Sequence, residues 1–361
     1  MIEKVRTGYL RTKLKRSFHT AVRKTDSLTE VVVAIDANGK TGYGAAPPTA
    51  KVTGETTQSI EAAIKHHIGP ALIGQNPFEL TELLDICEQS IKANFSAKAA
   101  MDIALHDLWG KLIGQPVVTL LGGGESELVT NMTISAGAPE AMAVYATEAV
   151  SNGFSTLKIK VGIEPDSDYE RLSMIREAVG PDVTIRIDAN QGWTPVDAVK
   201  TLLALEAEGI NIELCEQPTV AFDLEGMKYV KERVSTPIMA DESISNARDA
   251  LTILSSGCAD MINIKLMKCG GIRRARQIVA VADLFGVDCM IGCMLEGIVS
   301  IAGSAHLAAS TSRISRIDLD GPILLDSLPV EGGPSFEGSV IKIGDSPGLG
   351  ISIINDVEWH K

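Results

Sequence analysis

Five ionisable residues recur at near-equal intervals along this chain. They are Lys160, Asp188, Glu216, Asp241 and Lys265, spaced 28, 28, 25 and 24 residues apart. Each closes a short apolar run with strand character. Three carboxylates brought together repel one another and can all stay ionised only around a cation. Oxygen-only ligands favour a hard divalent ion, Mg²⁺ first and Mn²⁺ second. Asp188, Glu216 and Asp241 are therefore the candidate metal ligands, flanked by Lys160 and Lys265. Two amines on opposite sides of a metal-bound substrate suit proton removal from one face and proton delivery to the other. The metal's Lewis-acid action would stabilise an enediolate formed from a substrate carboxylate. Neighbouring cations and partial burial are expected to lower the lysine pKa values, as a general base near neutral pH requires. Lys158 shares a face with Lys160 if residues 156–161 form a strand. It is the expected secondary group, touching the substrate carboxylate and tuning Lys160. Taken alone, this stretch also reads as a solvated edge strand.

The intervals also say what must hold these residues. From residue 129 strand and helix patterns alternate. Strands are expected at 129–135, 156–161, 183–188, 212–216, 237–241, 261–265, 288–292 and 317–320. Helices are expected at 139–151, 168–179, 195–208, 224–233, 247–255, 272–285 and 298–309. Eight such units are the count for a (β/α)8, TIM-like barrel, whose C-terminal strand ends ring one cavity. An open doubly wound sheet competes, but no GxGxxG follows a strand. The first third differs. Strands at 4–11 and 29–36, a hairpin turn at Asn38-Gly39, and helices near 57–69, 79–92 and 97–113 suggest a separate α+β unit. Ser96 is the expected cap of the last helix. The organisation expected is an α+β capping domain at 1–122, the barrel at 123–330, and a C-terminal segment at 331–361 packing back on the cap. Loops 17–24 and 47–54 are the candidate lid over the barrel mouth.

Net charge is −13 over 361 residues, which argues against a nucleic-acid partner and offers nothing to an anionic membrane. No apolar run is long enough to span a bilayer, and the first residues lack a secretory core. Six cysteines without a CxxC pair suggest a reduced, cytoplasmic protein with buried thiols.

The residues resemble the enolase superfamily, muconate-lactonizing subgroup, over essentially the whole chain. The matching motifs are Lys158-Ile159-Lys160, Asp188-Ala189-Asn190-Gln191, Glu216-Gln217-Pro218, Ala240-Asp241-Glu242-Ser243 and Asn263-Ile264-Lys265. The resemblance implies metal ligation by Asp188, Glu216 and Asp241 and acid/base chemistry by Lys160 and Lys265. On the last strand, Asp318 and Asp320 have the same parity, so both would face the cavity. The pair resembles the Asp-x-Asp of dipeptide epimerases, which holds a dipeptide's amino terminus. Its plainer reading is one Asp cap and one turn residue. Thr20-Ala21-Val22-Arg23 resembles the segment whose arginine meets the glutamate side chain in L-Ala-D/L-Glu epimerases, a bidentate match for a carboxylate. Arg23 also reads as a surface residue beside Lys24. Met294 and Leu295 are the further substrate-side candidates, Leu295 being apolar where epimerases for cationic dipeptides carry an acid.

The resemblance thus implies a Mg²⁺-dependent dipeptide epimerase, with L-Ala-D/L-Glu first. The alternatives are an epimerase for hydrophobic dipeptides, or an o-succinylbenzoate synthase, cycloisomerase or N-acylamino acid racemase. A catalytically silent metal-binding or regulatory protein is the rival from another class. The expected partner is a small-molecule dipeptide, and a homo-oligomer is allowed.

Overall fold

Two long antiparallel strands, β1 (Ile2–His19) and β2 (Lys24–Ala37), open the chain, and β3 (Lys40–Ala46) completes the hairpin after Asn38-Gly39. The computed structural model describes residues 1–20 and 24–360, without the side chain of Asp166. β1 and β2 run further than the apolar pattern suggests, because their polar ends pair with each other beyond the cap's core, Phe18 opposite Thr25. The run Val31-Val32-Val33-Ala34-Ile35 is wholly buried, as β-branched side chains in a covered sheet should be.

Helices α1 (Thr57–Ala63), α2 (Gly69–Leu72), α3 (Leu80–Ser90), α4 (Phe95–Ile113) and α5 (Val117–Leu120) cover this sheet. The single helix expected near 57–69 is interrupted by a π-helical turn, Ile64–Ile68. α4 is buried on nearly every side, and a β-carbon on Gly44 would overlap its Ala100 carbonyl, so glycine lets strand and helix meet. Ser96 does not cap α4. It lies inside the helix, and the Glu55 carboxylate, distant in sequence, accepts from Ser96 N (2.9 Å) and Ala97 N (3.3 Å).

The stretch expected as the first barrel strand is two strands. β4 (Glu127–Val129) belongs to a small sheet elsewhere, and β5 (Met132–Ile134) starts the barrel. Then follow α6 (Pro139–Ser151), β6 (Thr156–Lys160), α7 (Pro165–Val179), β7 (Thr184–Asp188), α8 (Pro195–Ala207) and β8 (Ile212–Glu216). Next come α9 (Leu224–Lys231), β9 (Ile238–Ala240), α10 (Ala247–Ser256), β10 (Met261–Ile264), α11 (Leu266–Cys269) and α12 (Ile272–Leu284). β11 (Cys289–Gly292), α13 (Ile298–Ala309) and β12 (Ile314–Asp318) finish the barrel.

The eight strands β5 to β12 pair in parallel, in sequence order. Asn131 N donating to Ile317 O (3.3 Å) helps close the ring between its first and last strands. The barrel expectation therefore holds, with a second amendment after the split first strand: a 3-10 turn, Gly321–Leu324, stands after β12 where an eighth helix would go. The rest of the chain forms β13 (Val330–Gly332), β14 (Ser335–Glu337), β15 (Val340–Lys342), β16 (Ile351–Ile354) and β17 (Glu358–Trp359). β15 pairs with β4, and β17 returns to pair with β1 of the cap. Among the described residues no helix is long and apolar enough to cross a membrane, and all six cysteines are free thiols.

Candidate active site

Register fixes which side chains enter the barrel. Lys160 pairs with Asp188, Asp188 with Glu216, and Glu216 with Met239, so all share the inward face. Asp241 and Lys265 follow the ends of β9 and β10 by one residue. All five spaced residues are buried together at the C-terminal end of the barrel, with Lys158 beside them.

The contacts are close. Lys160 Nζ donates to Asp188 Oδ2 at 2.6 Å, and Lys265 Nζ to Asp241 Oδ2 at 2.7 Å. Lys158 Nζ lies 3.0 Å from Asp188 Oδ2, 2.7 Å from Glu216 Oε2 and 2.8 Å from Asp318 Oδ2. Asp318 also accepts from Asn131 Nδ2 at 2.8 Å. Asp320 stands beyond the end of β12, at the start of the 3-10 turn, and accepts from Thr133 N at 2.6 Å. Both aspartates are buried and line the cavity, but each already has an internal partner.

These neighbours set the charges. The expectation of lowered lysine pKa values is corrected for two of the three. Burial pulls Lys158 down, but Asp188, Asp318 and Glu216 outweigh it and hold the ammonium well above its ordinary range. Lys265 is likewise held up, burial being outweighed chiefly by Asp241. Lysine–lysine repulsion is the weaker influence because acids on adjacent strands lie closer. Burial pushes Asp188 and Asp241 up, yet the facing lysines keep both below the usual carboxylate range. Glu216 behaves differently: burial, then Asp188, push it up to about 8. Burial and Asp318 push Asp320 up to about 6.

A cavity of about 60 Å³ lies above these groups. Phe18, Thr20, Thr49 and Val52 of the cap border it, with Cys293, Met294 and Leu295 after β11 and Leu324 after β12. Leu295 has a second role, packing with Leu28, Leu325, Leu14 and Leu324 in a small core of its own. Arg23 lies outside the described residues. Of two larger clefts, about 470 and 1010 Å³, neither reaches the lysines or the carboxylate trio, but the second adjoins the cavity and shares Phe18, Thr133 and Leu324 with it.

Several residues of the site carry no strand-end signal. Lys268, three positions past Lys265 on α11, reaches back to bond the Asp241 carboxylate and backbone carbonyl. A helical turn after the strand would have placed it there. Glu242 lines the cavity, and burial, followed by Asp241, pushes it up to about 7. Gln217 is fully buried; its Oε1 accepts from Asp241 N (2.8 Å) and Ser243 N (3.2 Å), tying the end of β8 to the turn after β9. Asn190, Gln191 and Gln217 hold positive φ values of 42°, 69° and 36°, so the backbone is strained directly after Asp188 and Glu216.

A divalent cation fits this donor set. Four lysines (158, 160, 265 and 268) face five buried acids (Asp188, Glu216, Asp241, Asp318 and Asp320) and the half-buried Glu242, two positive charges short of neutrality if all ionise. Asn190 Oδ1, Glu216 Oε2, Glu242 Oε2 and Asn263 Oδ1 have no hydrogen-bond partner among the described residues. Lys158 is an ion-pair neighbour of Glu216 Oε2, at an angle that makes no hydrogen bond. Its ammonium is an internal cation shared by Asp188 and Glu216. Among the described residues no three acids converge into a ready-made cage, because ammonium groups stand between them.

A parallel barrel under an α+β cap, with lysines and acids converging at its strand ends, is the architecture of the enolase superfamily. Residues 141–357 match the enolase C-terminal domain-like family, and residues 3–122 match the N-terminal domain of mandelate racemase / muconate lactonizing enzyme. The chain belongs to that family. It is 46% identical over 357 residues, 99% of this chain and 100% of the other, to an L-Ala-D/L-Glu epimerase of Clostridium acetobutylicum. The substrate-liganded L-Ala-D/L-Glu epimerase of Bacillus subtilis superposes with a TM-score of 0.95 at 42% identity, covering 97% of this chain and 98% of that one. The dipeptide epimerase of Enterococcus faecalis, complexed with Mg and L-Leu-L-Tyr, gives 0.94 at 44% identity, covering 98% and 99%.

Proposed function

We propose that this chain is an isomerase, a Mg²⁺-dependent dipeptide epimerase that inverts the α-carbon of the C-terminal residue, with L-Ala-D/L-Glu as its dipeptide. One observation carries the mechanism: Lys160 and Lys265 belong to the second and sixth of eight strands, on opposite sides of one cavity. A dipeptide α-carbon held between them meets one amine on each face. One lysine takes the α-proton, and the other returns a proton to the opposite face. Lys158, buried among the acids, positions the reacting carboxylate. Asp188, Glu216 and Asp241 would hold Mg²⁺, or Mn²⁺ as the second hard cation, which when bound would supply Lewis-acid polarisation of the substrate carboxylate and neutralise the acids that now hold the lysines protonated.

Asp318 and Asp320 would receive the dipeptide's ammonium. Asp320, with one oxygen on Thr133 N, is the more adaptable of the two. Arg23 would meet a glutamate side chain, and Met294 and Leu295 would form the wall beside it. The cavity is far below the ~300 Å³ of a ligand pocket, so the cap segments around Phe18–Thr20 and Thr49–Val52 must shift to admit substrate. The free thiols, five of the six buried, support a reduced, cytoplasmic setting.

A second reading has its own observation. Phe18, Val52, Met294, Leu295 and Leu324 give the described lining an apolar side, which suits a hydrophobic dipeptide. Mass spectrometry of a dipeptide library incubated with protein and Mg²⁺ in D₂O separates the two, since inversion replaces the α-proton and adds one mass unit. Labelling of Xaa-Glu dipeptides is expected. Labelling of apolar dipeptides instead would keep the chemistry and replace the substrate. No labelled dipeptide would move the reading to a synthase or cycloisomerase.

A further inference from the structure

The wall that carries Met294 and Leu295 is held from outside the barrel. Glu30, on β2 of the cap, is almost wholly buried. Its Oε1 accepts from Gly297 N at 2.9 Å and from Ser300 Oγ at 3.3 Å. Gly297 precedes α13 and brings no side chain of its own to that helix start, so a cap residue supplies the acceptor. The fit is tight, since a β-carbon on Gly297 would overlap the Glu30 carboxylate. Leu28, two residues earlier and so on the same face of β2, packs against Leu295. Within the wall, Glu296 Oε1 accepts from Met294 N at 2.7 Å, and Gly321 leaves room for the Glu296 backbone. The segment from Cys293 to Gly297 is therefore gripped by two adjacent inward residues of one cap strand.

We infer that Glu30 is a positioning residue through which the cap sets the side-chain wall of the dipeptide pocket, and thereby which dipeptide is accepted. This rests on the dipeptide reading above. A carboxyl is an expensive choice for the place: burial, opposed in part by the Gly297 bond and aided by Glu296, pushes it up to about 7. Its geometry accounts for the choice, because an apolar side chain of similar size would leave Gly297 N unpaired and Ser300 Oγ with only the Gly297 carbonyl, and the wall free to shift.

The test is steady-state kinetics with Mg²⁺ on L-Ala-L-Glu and L-Ala-L-Phe, for the wild type, Glu30→Gln and Glu30→Ala. Glu30→Gln keeps an acceptor for Gly297 N and should hold the ratio of kcat/KM between the two dipeptides within about threefold of wild type. Glu30→Ala should raise KM for the better dipeptide about tenfold, change kcat less, and shrink the ratio about tenfold, as expected when a binding wall is displaced while the reacting groups stay in place. A folded Glu30→Ala variant with the wild-type ratio, or one losing kcat alone, would overturn the inference. If Glu30→Ala does not fold, Leu28→Val decides in its place: it loosens the same wall without removing a charge, and an unchanged ratio counts against the inference. If the wild type converts neither dipeptide, the proposed function fails and takes this inference with it.

Discussion

The barrel carries charge at two levels of the same strands, wholly buried at the mouth and partly exposed below it, and the levels are built differently. At the mouth stand Asp188, Glu216 and Asp318. Further down the same strands are the buried Arg186 and the half-buried Glu213 and Arg316, Glu213 standing at a bulge beside Leu214, which takes the register position opposite Arg186. In the lower set Glu213 takes Arg186 Nε on one oxygen (2.6 Å) and Arg316 Nε on the other (2.9 Å), and Arg186 also donates to Asn131 Oδ1 (3.0 Å). Leu214, Met239, Met261 and Met290 form a separate buried apolar cluster. No side-chain atom of Arg186, Glu213 or Arg316 is among the buried groups lacking a partner in the described residues, whereas Glu216, Glu242, Asn190 and Asn263 at the mouth each leave one oxygen unpartnered. The lower level is a finished network that stabilises. The mouth keeps unspent acceptors and strained backbone, the condition of a surface built to receive something.

Five substitutions would break or sharpen this contrast. The largest effect should come at the mouth: Lys160→Ala or Lys265→Ala is expected to lower kcat for epimerisation by about 10³-fold with little change in melting temperature, checked by coupled kinetics and calorimetry. At the lower level the balance reverses. Arg186→Met leaves Glu213 short of a partner and should cost about 3 kcal/mol in chemical denaturation, with kcat reduced far less than in the lysine variants.

Asp320→Asn should stabilise the protein by about 3 kcal/mol at pH 7 while impairing turnover of dipeptides with a free amino terminus. The sign follows from its raised pKa. A carboxyl whose folded pKa is up at about 6 contributes stability at low pH that is lost as pH rises from the unfolded value near 3.8 through about 6. The gain from Asn should therefore vanish below about pH 4, and a gain independent of pH would refute the assignment. Glu213 has the opposite sign. Burial pushes it up, but Arg186 and Arg316 bring it below its usual range. Its stability is present above about pH 4.5 and is lost as pH falls through the folded pKa. Glu213→Gln should cost about 1 kcal/mol at pH 7, less in acid, read from denaturation midpoints across pH.

What was legible in the sequence follows the same division. Lys160, Asp188, Glu216, Asp241 and Lys265 stood out because a βα repeat returns each to the same end of the barrel, and parity then sends the side chains inward. Lys268, Glu242 and Gln217 did not, since each lies past a strand end, where direction depends on the local turn. The pKa directions of Lys158 and Lys265 were misread because the carboxylates around them are close only in three dimensions. The same reason hid Glu55 as the acceptor at the start of α4, and Glu30 at the start of α13. The eighth helix is absent because after β12 the chain turns at Gly321-Pro322 and runs back to the cap instead.

The central claim is that Lys160 and Lys265 serve opposite faces of one α-carbon. It is tested most directly by following loss of the α-proton by NMR in D₂O, starting separately from each epimer of the preferred dipeptide, with Lys160→Ala and Lys265→Ala. Each variant should exchange the α-proton of one epimer only, the two variants should prefer opposite epimers, and neither should interconvert them. Exchange of both epimers by either variant, or of the same epimer by both, would contradict a two-base reaction across the barrel.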